Sequence, residues 1–556
     1  MIGVLAKSED QVVVREFFEL FKTPWEFYSA DHRYDVVICA EDVHFAGSAK
    51  VVLCYAGRKT EFDLPETIQT SGHRKSSRVL SYKGHRIPIY GDTISFATRA
   101  AGFLADEESQ ECVGYSHGSR DATVVRIGYD LFNEVRTLLT FGQPPANAGM
   151  PALELHIEVL RDVITGCGVS LVEIPPVPVG YGLMVCLTHD VDHPSIRNHK
   201  WDHTMFGFLY RAVFGSLRNF IRGRLSVRNL LANWAAVLKL PFVYLGVSKD
   251  FWREFDDRYL EIERKLHSTF FVIPYRDSAG RNASGPARAI RAAGYRARDI
   301  ADSIQKLRAA GCEIGLHGID AWIDCSSGRD ELEEIRRLTG DSEIGVRMHW
   351  LYYDQQSPTI LESAGAAYDS TIGYNETVGY RAGTTQVYRP FDTNHLLELP
   401  LHVMDTALFY PSYLGLSERE AKTFVGRMVD NVLRLGGTLT INWHDRSLAP
   451  ERLWGDCYRD LIQDLRNRGA WFATAGEAVS WFQKRRSASF EADPSGSGGV
   501  RTRVAAEDGK YLPGLRLRVH RARTTISSSA AHRSDDHADT PLNEFVDTTV
   551  TSEAAR

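Results

Sequence analysis

Short apolar runs alternate with amphipathic stretches along most of this 556-residue chain. In its first part, Val- and Ile-rich runs at 2–6, 35–40 and 50–55 flank a helical stretch at 11–21. Continuous β-branched runs between helices are typical of buried parallel strands. The pattern therefore predicts a small α/β domain of unknown role over residues 1–150.

A helix and a proline-rich linker are predicted over residues 151–180, where prolines and glycines interrupt the pattern. Over residues 181–486, strand-like and helix-like stretches alternate again. The strand-like runs lie at 183–188, 268–273, 313–316, 345–348, 396–399 and 438–443. Repeated strand and helix units form a parallel sheet or a barrel, whose functional site lies where the carboxyl ends of the strands meet their loops.

The end of the chain changes in composition. Residues 487–500 are rich in Ser and Gly and predict a flexible linker. Alternating apolar and basic runs at 500–505 and 515–519 enclose an Asp-Gly pair, which is a hairpin signal. We expect a short β-rich or disordered tail over 501–556, with a hairpin fragment and a disordered stretch at 524–539.

A basic and aromatic insert at 196–249 separates the first two strand-like runs of the barrel. It holds nine Lys and Arg and a single acid, Asp202. An amphipathic surface that binds anionic lipid, or a clamp on an anionic glycan, has this composition. A helical lid with solvated arginines explains the insert equally well.

Composition and charge narrow the class of protein. The chain is 43% hydrophobic and 24% charged with a formal net charge of −6, which suits a globular protein and argues against one that coats nucleic acid. No run reaches the roughly 18 apolar residues of a membrane span. The eight cysteines form no C-x-x-C pair, and the first ten residues do not resemble a signal peptide. We expect a cytoplasmic location.

Two carboxylates follow the first strand of the predicted barrel. Asp190 and Asp192 stand at i and i+2, so both point to the same side of a strand end. Two like charges that close are costly unless a cation or a proton neutralises one, as in a metal site beside a general base. An Asp-rich turn that caps the next segment explains the same spacing.

Three further strand ends carry related side chains. His317 follows the third strand-like run, Arg347 and His349 follow the fourth, and His444 ends the last, where Asp445 or another acid could orient it. Imidazole with carboxylate suits zinc or another first-row divalent ion, although a lone His here is often a structural residue. Four such strand ends in one barrel together indicate a catalytic site.

In chain order, the four strand ends read Thr188-His-Asp-Val-Asp, Leu316-His-Gly, Arg347-Met-His-Trp-Leu and Asn442-Trp-His. They resemble the D-x-D, H-[ST]-x-x-H, R-x-P-[YF]-[GL] and L-x-H motifs of the polysaccharide deacetylase superfamily, the NodB-homology fold of carbohydrate esterase family four. The resemblance covers about residues 183–486. It implies a distorted (β/α)7-type barrel as the catalytic domain.

The same resemblance implies a role for each residue. Asp190 would be the general base, Arg347 the group that keeps it ionised, and His444 the general acid. Asp192 and His317 would bind a divalent metal, with zinc first and cobalt, nickel, iron or manganese as alternatives. The metal would polarise an acetamide carbonyl and activate a water molecule for hydrolysis.

The second motif departs from the family pattern, because Ala321 stands where the second His is expected. The third metal ligand must then come from elsewhere. His349 occupies the proline position of the third motif, and Asp320 could share a face with His317 if the loop turns as a helix start. We expect His349. Loss of metal binding is the remaining alternative.

Loop residues around the motifs are candidates for substrate contact. Trp322, Tyr374 and Arg381 resemble the variable substrate loops of the superfamily, and Asp369 could steady His444. Ordinary loop packing and a surface salt bridge explain the same residues.

Together these features predict a metal-dependent hydrolase that removes an N-acetyl group from an amino sugar in a cytoplasmic glycan or glycolipid precursor. The predicted partners are this glycan and, through the insert, the surface of an anionic membrane, but not nucleic acid. Two alternatives stay open. One is a non-catalytic glycan-binding or scaffold protein on the same barrel, and the other is a hydrolase of a non-sugar amide or other C–N bond.

Overall fold

The computed structural model of the protein divides into two compact units. Unit 1 comprises Met1–Gly180, Tyr380–Phe391 and Trp481–Arg556, and unit 2 comprises Tyr181–Gly379 and Asp392–Ser480. The structure describes residues 1–40, 47–64, 66, 68–75, 77–97, 102–118, 122–223, 225–492, 500–504, 512–526, 537–542 and 545–548. Two stretches of the range expected to form the barrel, 380–391 and 481–486, therefore belong to unit 1.

The amino-terminal part of unit 1 combines a large mixed sheet with three helices. Its strands are β1 (Ile2–Leu5), β2 (Trp25–Phe27), β3 (Tyr34–Cys39), β4 (Ala49–Tyr55), β5 (Thr70–Arg74), β6 (Arg78–Tyr82), β7 (His85–Ile89), β8 (Thr93–Phe96), β9 (Gly102–Asp106), β10 (Cys112–Gly118), β11 (Thr123–Ile127) and β12 (Leu171–Glu173). The helices are α1 (Gln11–Phe21), α2 (Leu131–Thr140) and α3 (Ala152–Gly166).

The nine-stranded sheet of unit 1 has the order β2-β1-β3-β4-β11-β10-β9-β6-β7. Neighbouring strands from β2 to β11 run parallel, and those from β11 to β7 run antiparallel. The Val- and Ile-rich runs supply the parallel half because both faces of β3 and β4 are largely buried.

Unit 2 contains the strands that carry the four motifs. Its strands are β13 (Leu183–Val191), β14 (Thr269–Val272), β15 (Arg281–Asn282), β16 (Gly285–Pro286), β17 (Glu313–Gly318), β18 (Val346–Met348), β19 (Val403–Met404), β20 (Thr438–Asn442) and β21 (Ala470–Ala473). Its helices are α4 (His203–Tyr210), α5 (Ser216–Ile221), α6 (Val227–Tyr244), α7 (Phe255–Ile262), α8 (Ala301–Ala309), α9 (Cys325–Thr339), α10 (Ser357–Ala364), α11 (Asp405–Phe409), α12 (Glu418–Leu435) and α13 (Gly455–Asn467).

A curled parallel sheet forms the core of unit 2. Its order is β18-β17-β14-β13-β20-β19, with β21 also paired to β13. Every residue of β13 is buried, as expected for a strand covered on both faces. Isolated parallel bridges continue the pairing from Val346 to Asp369 and from Asp369 to Glu398. The strand expected at 396–399 is reduced to this bridge, and regular pairing resumes at β19.

The carboxyl-terminal part begins with α14 (Ala475–Ser487) and holds β22 (Ser489–Ala492), β23 (Val500–Arg503), β24 (Leu515–His520), β25 (His537–Leu542) and β26 (Phe545–Thr548). β23 pairs with β22 and β26, whereas β24 pairs with β12 and β25. The predicted hairpin between β23 and β24 is therefore wrong. Its Asp-Gly turn lies outside the described residues.

The physical reason for this error is long-range pairing. Leu515 and Leu517 of β24 are buried, and the strand obtains its hydrogen bonds from β12, more than 300 residues away in sequence. Most of the stretch expected to be disordered, residues 527–536, lies outside the described residues, and its last three residues belong to β25. All eight cysteines are free thiols. No helix in the described part of the chain is long and apolar enough to cross a membrane.

The bridge between Asp369 and Glu398 places two buried carboxyl groups side by side. Burial raises the pKa of Asp369 to about 6, and burial together with the Asp369 charge raises the pKa of Glu398 well above its usual value. Carboxyl groups whose pKa is raised in the folded protein contribute stability that is complete below about pH 4. The contribution of Asp369 is lost as the pH rises through about 6, and that of Glu398 is lost at higher pH.

We therefore expect Glu398→Gln to raise the free energy of unfolding at pH 7.5 by roughly 1–3 kcal/mol and to flatten its decline between pH 4 and 7.5. The amide keeps the bond that Glu398 Oε1 accepts from the Ile372 backbone N–H. Denaturant unfolding across this pH range measures the effect, with the exposed Asp392→Asn as control. Equal pH slopes for wild type and Glu398→Gln would contradict the assignment.

Candidate metal centre and active site

The end of β13 places Asp190 inside the curled sheet. The side chain is 3% exposed, and its backbone N–H donates to Asn442 Oδ1 at 3.1 Å. Asn442 Nδ2 in turn donates to Asp190 Oδ2 at 2.7 Å. These two hydrogen bonds join β20 and β13 at their carboxyl ends, and the Asn442 amide holds one carboxylate oxygen of Asp190 in place.

Arg347 at the middle of β18 supplies the cation for Asp190. Its guanidinium is fully buried and donates to Asp190 Oδ1 at 3.2 Å and to Thr188 Oγ1 at 2.6 Å. The carbonyl and hydroxyl of Ser370 accept two further bonds, and the guanidinium lies 4.5 Å from the Phe271 ring centre. Because its donors are held from three sides, Arg347 keeps a fixed orientation toward the carboxylate.

Asp192, His317 and His349 converge on one point. The Nε2 atoms of His317 and His349 lie 3.4 Å and 3.6 Å from Asp192 Oδ1, and ligand atoms of all three residues fit within 4.8 Å. Asp192 Oδ1 is buried and makes no hydrogen bond among the described residues. Burial opposes its ionisation, but His317, His349 and His444 outweigh it and hold the pKa of Asp192 well below its usual value.

The donor set fits a first-row divalent ion. One carboxylate and two imidazoles are a common protein ligand set for zinc and its neighbours, and they leave further coordination positions for water or substrate. An orphaned buried oxygen facing two imidazole nitrogens is costly without a cation between them. The structure therefore contains a triad able to hold a metal, while the donors do not select one metal.

A second hydrogen bond orients His317. Its Nδ1 lies 3.0 Å from the backbone carbonyl of Arg347, which can only accept. The proton therefore sits on Nδ1, and Nε2 presents its lone pair to the triad. Arg347 therefore has two roles: its side chain offsets the charge of Asp190, and its backbone carbonyl orients the candidate ligand His317.

His349 stands at a strained turn after β18. Trp350 and Leu351 adopt left-handed φ values of 64° and 53°. Such conformations cost of order 1 kcal/mol each for residues other than glycine, and they cluster at functional sites. The buried Arg291 donates to the His349 carbonyl at 2.9 Å and to the Ile319 carbonyl at 3.0 Å. Arg291 therefore ties this turn to the loop after β17.

His444 is paired with Asp405 at the start of α11. Asp405 Oδ1 lies 2.6 Å from His444 Nδ1, and its Oδ2 accepts the His444 backbone N–H at 2.8 Å. Burial lowers the pKa of His444, but Asp405 outweighs this effect and raises it to about 10. His444 Nε2 lies 3.8 Å from Asp192 Oδ2. A protonated imidazole therefore faces the triad.

These groups line one cavity of about 560 Å³ in unit 2. Six of the predicted site residues are brought together there or beside it: Asp190, Asp192, His317, Arg347, His349 and His444. Asp320 is directed elsewhere, since its carboxylate accepts the Arg281 backbone N–H at 2.7 Å. Of the two alternatives for a third ligand, His349 is the one placed in the triad.

Neither Trp322 nor Tyr374 is among the described residues that line this cavity, although each adjoins one that does. The Trp322 ring is buried against Tyr352, 5.7 Å between centres, and Tyr374 is buried beside Asn375, which lines the cavity. Arg381 belongs to unit 1, where its carbonyl accepts the Gln143 N–H at 2.7 Å.

Neither acid that the sequence analysis proposed for His444 contacts its ring. Asp369 accepts the Thr371 hydroxyl at 2.5 Å, and Asp445 accepts the His193 backbone N–H at 2.9 Å. Asp405 takes this position instead. It follows the short apolar strand β19, so the strand-end signal was present, but the strand was expected seven residues earlier, at 396–399.

No protein-family model and no curated protein matches the sequence. Solved structures similar to the chain include a protein assigned as a polysaccharide deacetylase from Mycobacterium smegmatis, with 18% identity over 56% of this chain and 95% of that chain and a TM-score of 0.35. Puue allantoinase matches with 13% identity over 56% and 92% and a TM-score of 0.34. The carbohydrate deacetylase Agd3 matches with 7% identity over 93% and 90% and a TM-score of 0.33.

The triad generates a direct prediction on metal content. After incubation with zinc or cobalt and desalting, we expect about one metal ion per chain in the wild type and less than about a tenth of that in Asp192→Ala, His317→Ala and His349→Ala, because each removes one of three protein ligands. Mass spectrometry measures the content. Asp320→Ala is the matched control, and loss of metal from it with retention in His349→Ala would reverse the assignment.

Proposed function

We propose that the protein is a metal-dependent hydrolase that removes an N-acetyl group from an amino sugar of a cytoplasmic glycan or glycolipid precursor. The observation that carries the proposal is the buried Asp192 oxygen without a hydrogen bond, faced by the Nε2 atoms of His317 and His349. Asp192, His317 and His349 would hold the ion. A divalent ion at such a site supplies polarisation of an amide carbonyl and activation of a water molecule.

Asp190 is the general base in this proposal. Its Oδ2 lies 3.9 Å from His317 Nε2, so it borders the triad without belonging to it. The Arg347 guanidinium offsets the charge of the buried carboxylate and, with Asn442, leaves it little freedom to rotate. A fixed carboxylate beside the triad, paired with a guanidinium, can take a proton from water that attacks the amide carbon.

His444 is the general acid. Its Nδ1 is bound to Asp405, so the proton on Nε2 points into the cavity. Cleavage of an amide releases an amine, which leaves readily only when its nitrogen is protonated. A base and an acid therefore border the triad, as hydrolysis of a C–N bond requires. A protein that only binds glycan needs neither a buried Asp–His pair nor a compensated carboxylate at the same site.

The test is release of acetate from N-acetylglucosamine oligosaccharides and from phosphate-linked N-acetylglucosamine by the metal-loaded protein. We expect Asp190→Asn to lower kcat about 10²–10⁴-fold while the metal content stays unchanged. Asp405→Asn should lower kcat more than it changes KM, with partial rescue by Asp405→Glu. Wild-type binding of these glycans without acetate release favours the scaffold hypothesis, and hydrolysis confined to non-sugar amides favours the other alternative.

We further propose that residues 196–249 contact an anionic membrane surface. Each of the two long helical stretches of this insert carries a stripe of exposed apolar side chains at intervals of three or four residues. The first stripe is Phe206, Tyr210, Phe214, Leu217 and Ile221, and the second is Val227, Leu231, Trp234, Leu238 and Phe242. Intervals of three and four place each stripe on one helical face.

The opposite faces of these helices are already packed. Met205, Phe208, Leu240 and Val243 are buried in a cluster with Trp252. The exposed stripes are therefore apolar surface in addition to the packed faces, and exposed apolar patches of this kind mark interaction sites.

Charge complementarity favours an anionic bilayer as the occupant of this surface. Arg218, Arg222, Arg228 and Lys239 are exposed along the same helices. The only acid in the insert, Asp202, caps α4 by accepting the Met205 N–H at 2.9 Å. Apolar stripes with interleaved cations and no exposed acid are the pattern of helices that lie in the membrane interface.

Sedimentation with lipid vesicles tests this surface. We expect the wild type to bind phosphatidylglycerol vesicles at low salt, to bind phosphatidylcholine vesicles much less, and to dissociate as salt screens the cations. Phe214→Ser combined with Leu238→Ser should weaken binding at least tenfold, whereas Phe141→Ser, an equally exposed aromatic of unit 1, should not. The proposal would be overturned if the wild type did not bind anionic vesicles, or if a second copy of the chain covered the stripes.

A further inference from the structure

Five arginines line the cavity that contains the candidate metal centre: Arg211, Arg288, Arg291, Arg446 and Arg452. Arg291 has a structural role, because its guanidinium donates to three backbone carbonyls. Arg288 is exposed. The proposed hydrolysis uses none of the other three guanidiniums. Arg452 donates to the Ser447 hydroxyl at 3.2 Å, and the Arg446 guanidinium lies 5.1 Å from the Trp252 ring centre.

No carboxylate of the described residues lies within 4.0 Å of the guanidinium of Arg211, Arg446 or Arg452. The nearby acids are engaged elsewhere. Glu451 accepts the Trp252 indole N–H at 3.2 Å, and Asp445 accepts backbone N–H groups. The three cations therefore share one cavity without a paired anion.

Each of the three guanidiniums also has a buried N–H without a hydrogen-bond partner in the described structure. These are the Nε of Arg211, the Nη1 of Arg446 and the Nε of Arg452, whose side chain is only 8% exposed. Unsatisfied donors on charged groups are expensive in a protein interior unless a ligand supplies the acceptors.

The arginines at this wall of the cavity repel one another, although Tyr410 and nearby acids outweigh burial and raise the pKa of Arg452. Burial, followed by repulsion from Arg446 and Arg452, lowers the pKa of Arg211 to about 10. Burial opposes ionisation of the Tyr410 phenol, but the three arginines outweigh it and lower its pKa. The Tyr410 hydroxyl also accepts a bond from the Arg452 guanidinium.

We propose that Arg211, Arg446 and Arg452, together with Tyr410, form a binding site for a phosphate group of the substrate. This inference rests on the proposed function and narrows it to amino sugars linked to phosphate. The site shares its cavity with Asp190, Asp192 and His444, so a phosphate held there places the attached sugar in the same space as the base, the triad and the acid.

Phosphate suits these residues better than a carboxylate does. Its three or more oxygens and one to two negative charges can satisfy several guanidinium forks at once, whereas a carboxylate offers two oxygens and one charge. All three cations are arginines, the side chain whose planar fork matches phosphate geometry. Arg211 begins a π-helical turn, Arg211–Gly215, a local irregularity that frequently occurs at functional sites.

Binding of inorganic phosphate to the metal-loaded protein, measured by calorimetry, is the first test. We expect Arg446→Gln and Arg211→Gln each to weaken it at least tenfold, and Arg211→Lys to restore part of the loss. Arg459→Gln, a surface arginine paired with Asp456, is the matched control and should leave binding unchanged. Because phosphate could also bind a metal ion, Asp192→Ala is measured in parallel and should retain arginine-dependent binding.

The rates of deacetylation of three N-acetyl sugars show whether the site prefers a substrate with a phosphate, with a carboxylate or with no charge. N-acetylglucosamine 1-phosphate should be preferred over N-acetylmuramic acid, which carries a carboxylate, and over neutral chitobiose. Arg446→Gln should lower the preference for phosphate over chitobiose at least tenfold. Three results would overturn the phosphate site. They are an equal loss of activity on all three substrates in Arg446→Gln, a preference for the substrate with a carboxylate, and phosphate binding that does not change in the arginine variants. Arginine-dependent phosphate binding without any acetate release would instead refute the hydrolase and leave the phosphate site standing.

Discussion

The buried ion pair between Arg347 and Asp190 is the constraint on which the site depends. In the sheet order, β17 and β14 separate the strands that carry the two residues, so their 3.2 Å contact requires the sheet to curl and bring distant strands face to face. Removing one partner of such a pair typically costs about 3–5 kcal/mol, because the other charge stays buried alone. The balance of buried charges at the carboxyl edge of the sheet therefore depends on the curvature of the sheet.

The same pair organises the metal triad. The Arg347 backbone carbonyl fixes the tautomer of His317, and two residues later the chain turns through a strained left-handed segment that begins after His349. Asp190 is paired with an arginine, whereas Asp192 Oδ1 makes no hydrogen bond among the described residues and faces the imidazoles of His317 and His349. Asp190, at the penultimate position of β13, and Asp192, just beyond its end, therefore face different surroundings, which in the proposed function suits one to proton transfer and the other to metal binding.

Much of this site could be predicted from the sequence, because its signals are local. Apolar runs located β13, β17, β18 and β20, and the polar residues at their ends converge as the geometry of parallel strands requires. The motif position of His349 made it the preferred third ligand over Asp320. The strand ends needed only the period of the pattern and the direction of the strands, whereas the preference for His349 rested on the resemblance to the deacetylase motifs.

The features that the sequence did not indicate depend on long-range pairing. Asp405 follows a strand of two residues that the apolar pattern placed too early along the chain, and its partner His444 lies 39 residues away. The failed hairpin has the same cause, since β24 found its partner in β12 rather than across the nearest turn. The sequence indicated Arg211 only as one cation of the basic insert, and nothing in it placed Arg446 and Arg452 beside that insert, because only the fold brings an insert and a strand-end loop to one cavity.

One helical stretch of the insert faces solvent on one side and the cavity on the other. Its exposed side carries Phe206 and Phe214, and between them Arg211 reaches into the cavity. Any bound group that restrains Arg211 also restrains the backbone that presents the two aromatic rings. By thermodynamic linkage, any effect that a ligand on one side of this stretch has on the affinity of a ligand on the other side is returned by the same factor. Lipid on one side would then act as a reciprocal effector of substrate on the other.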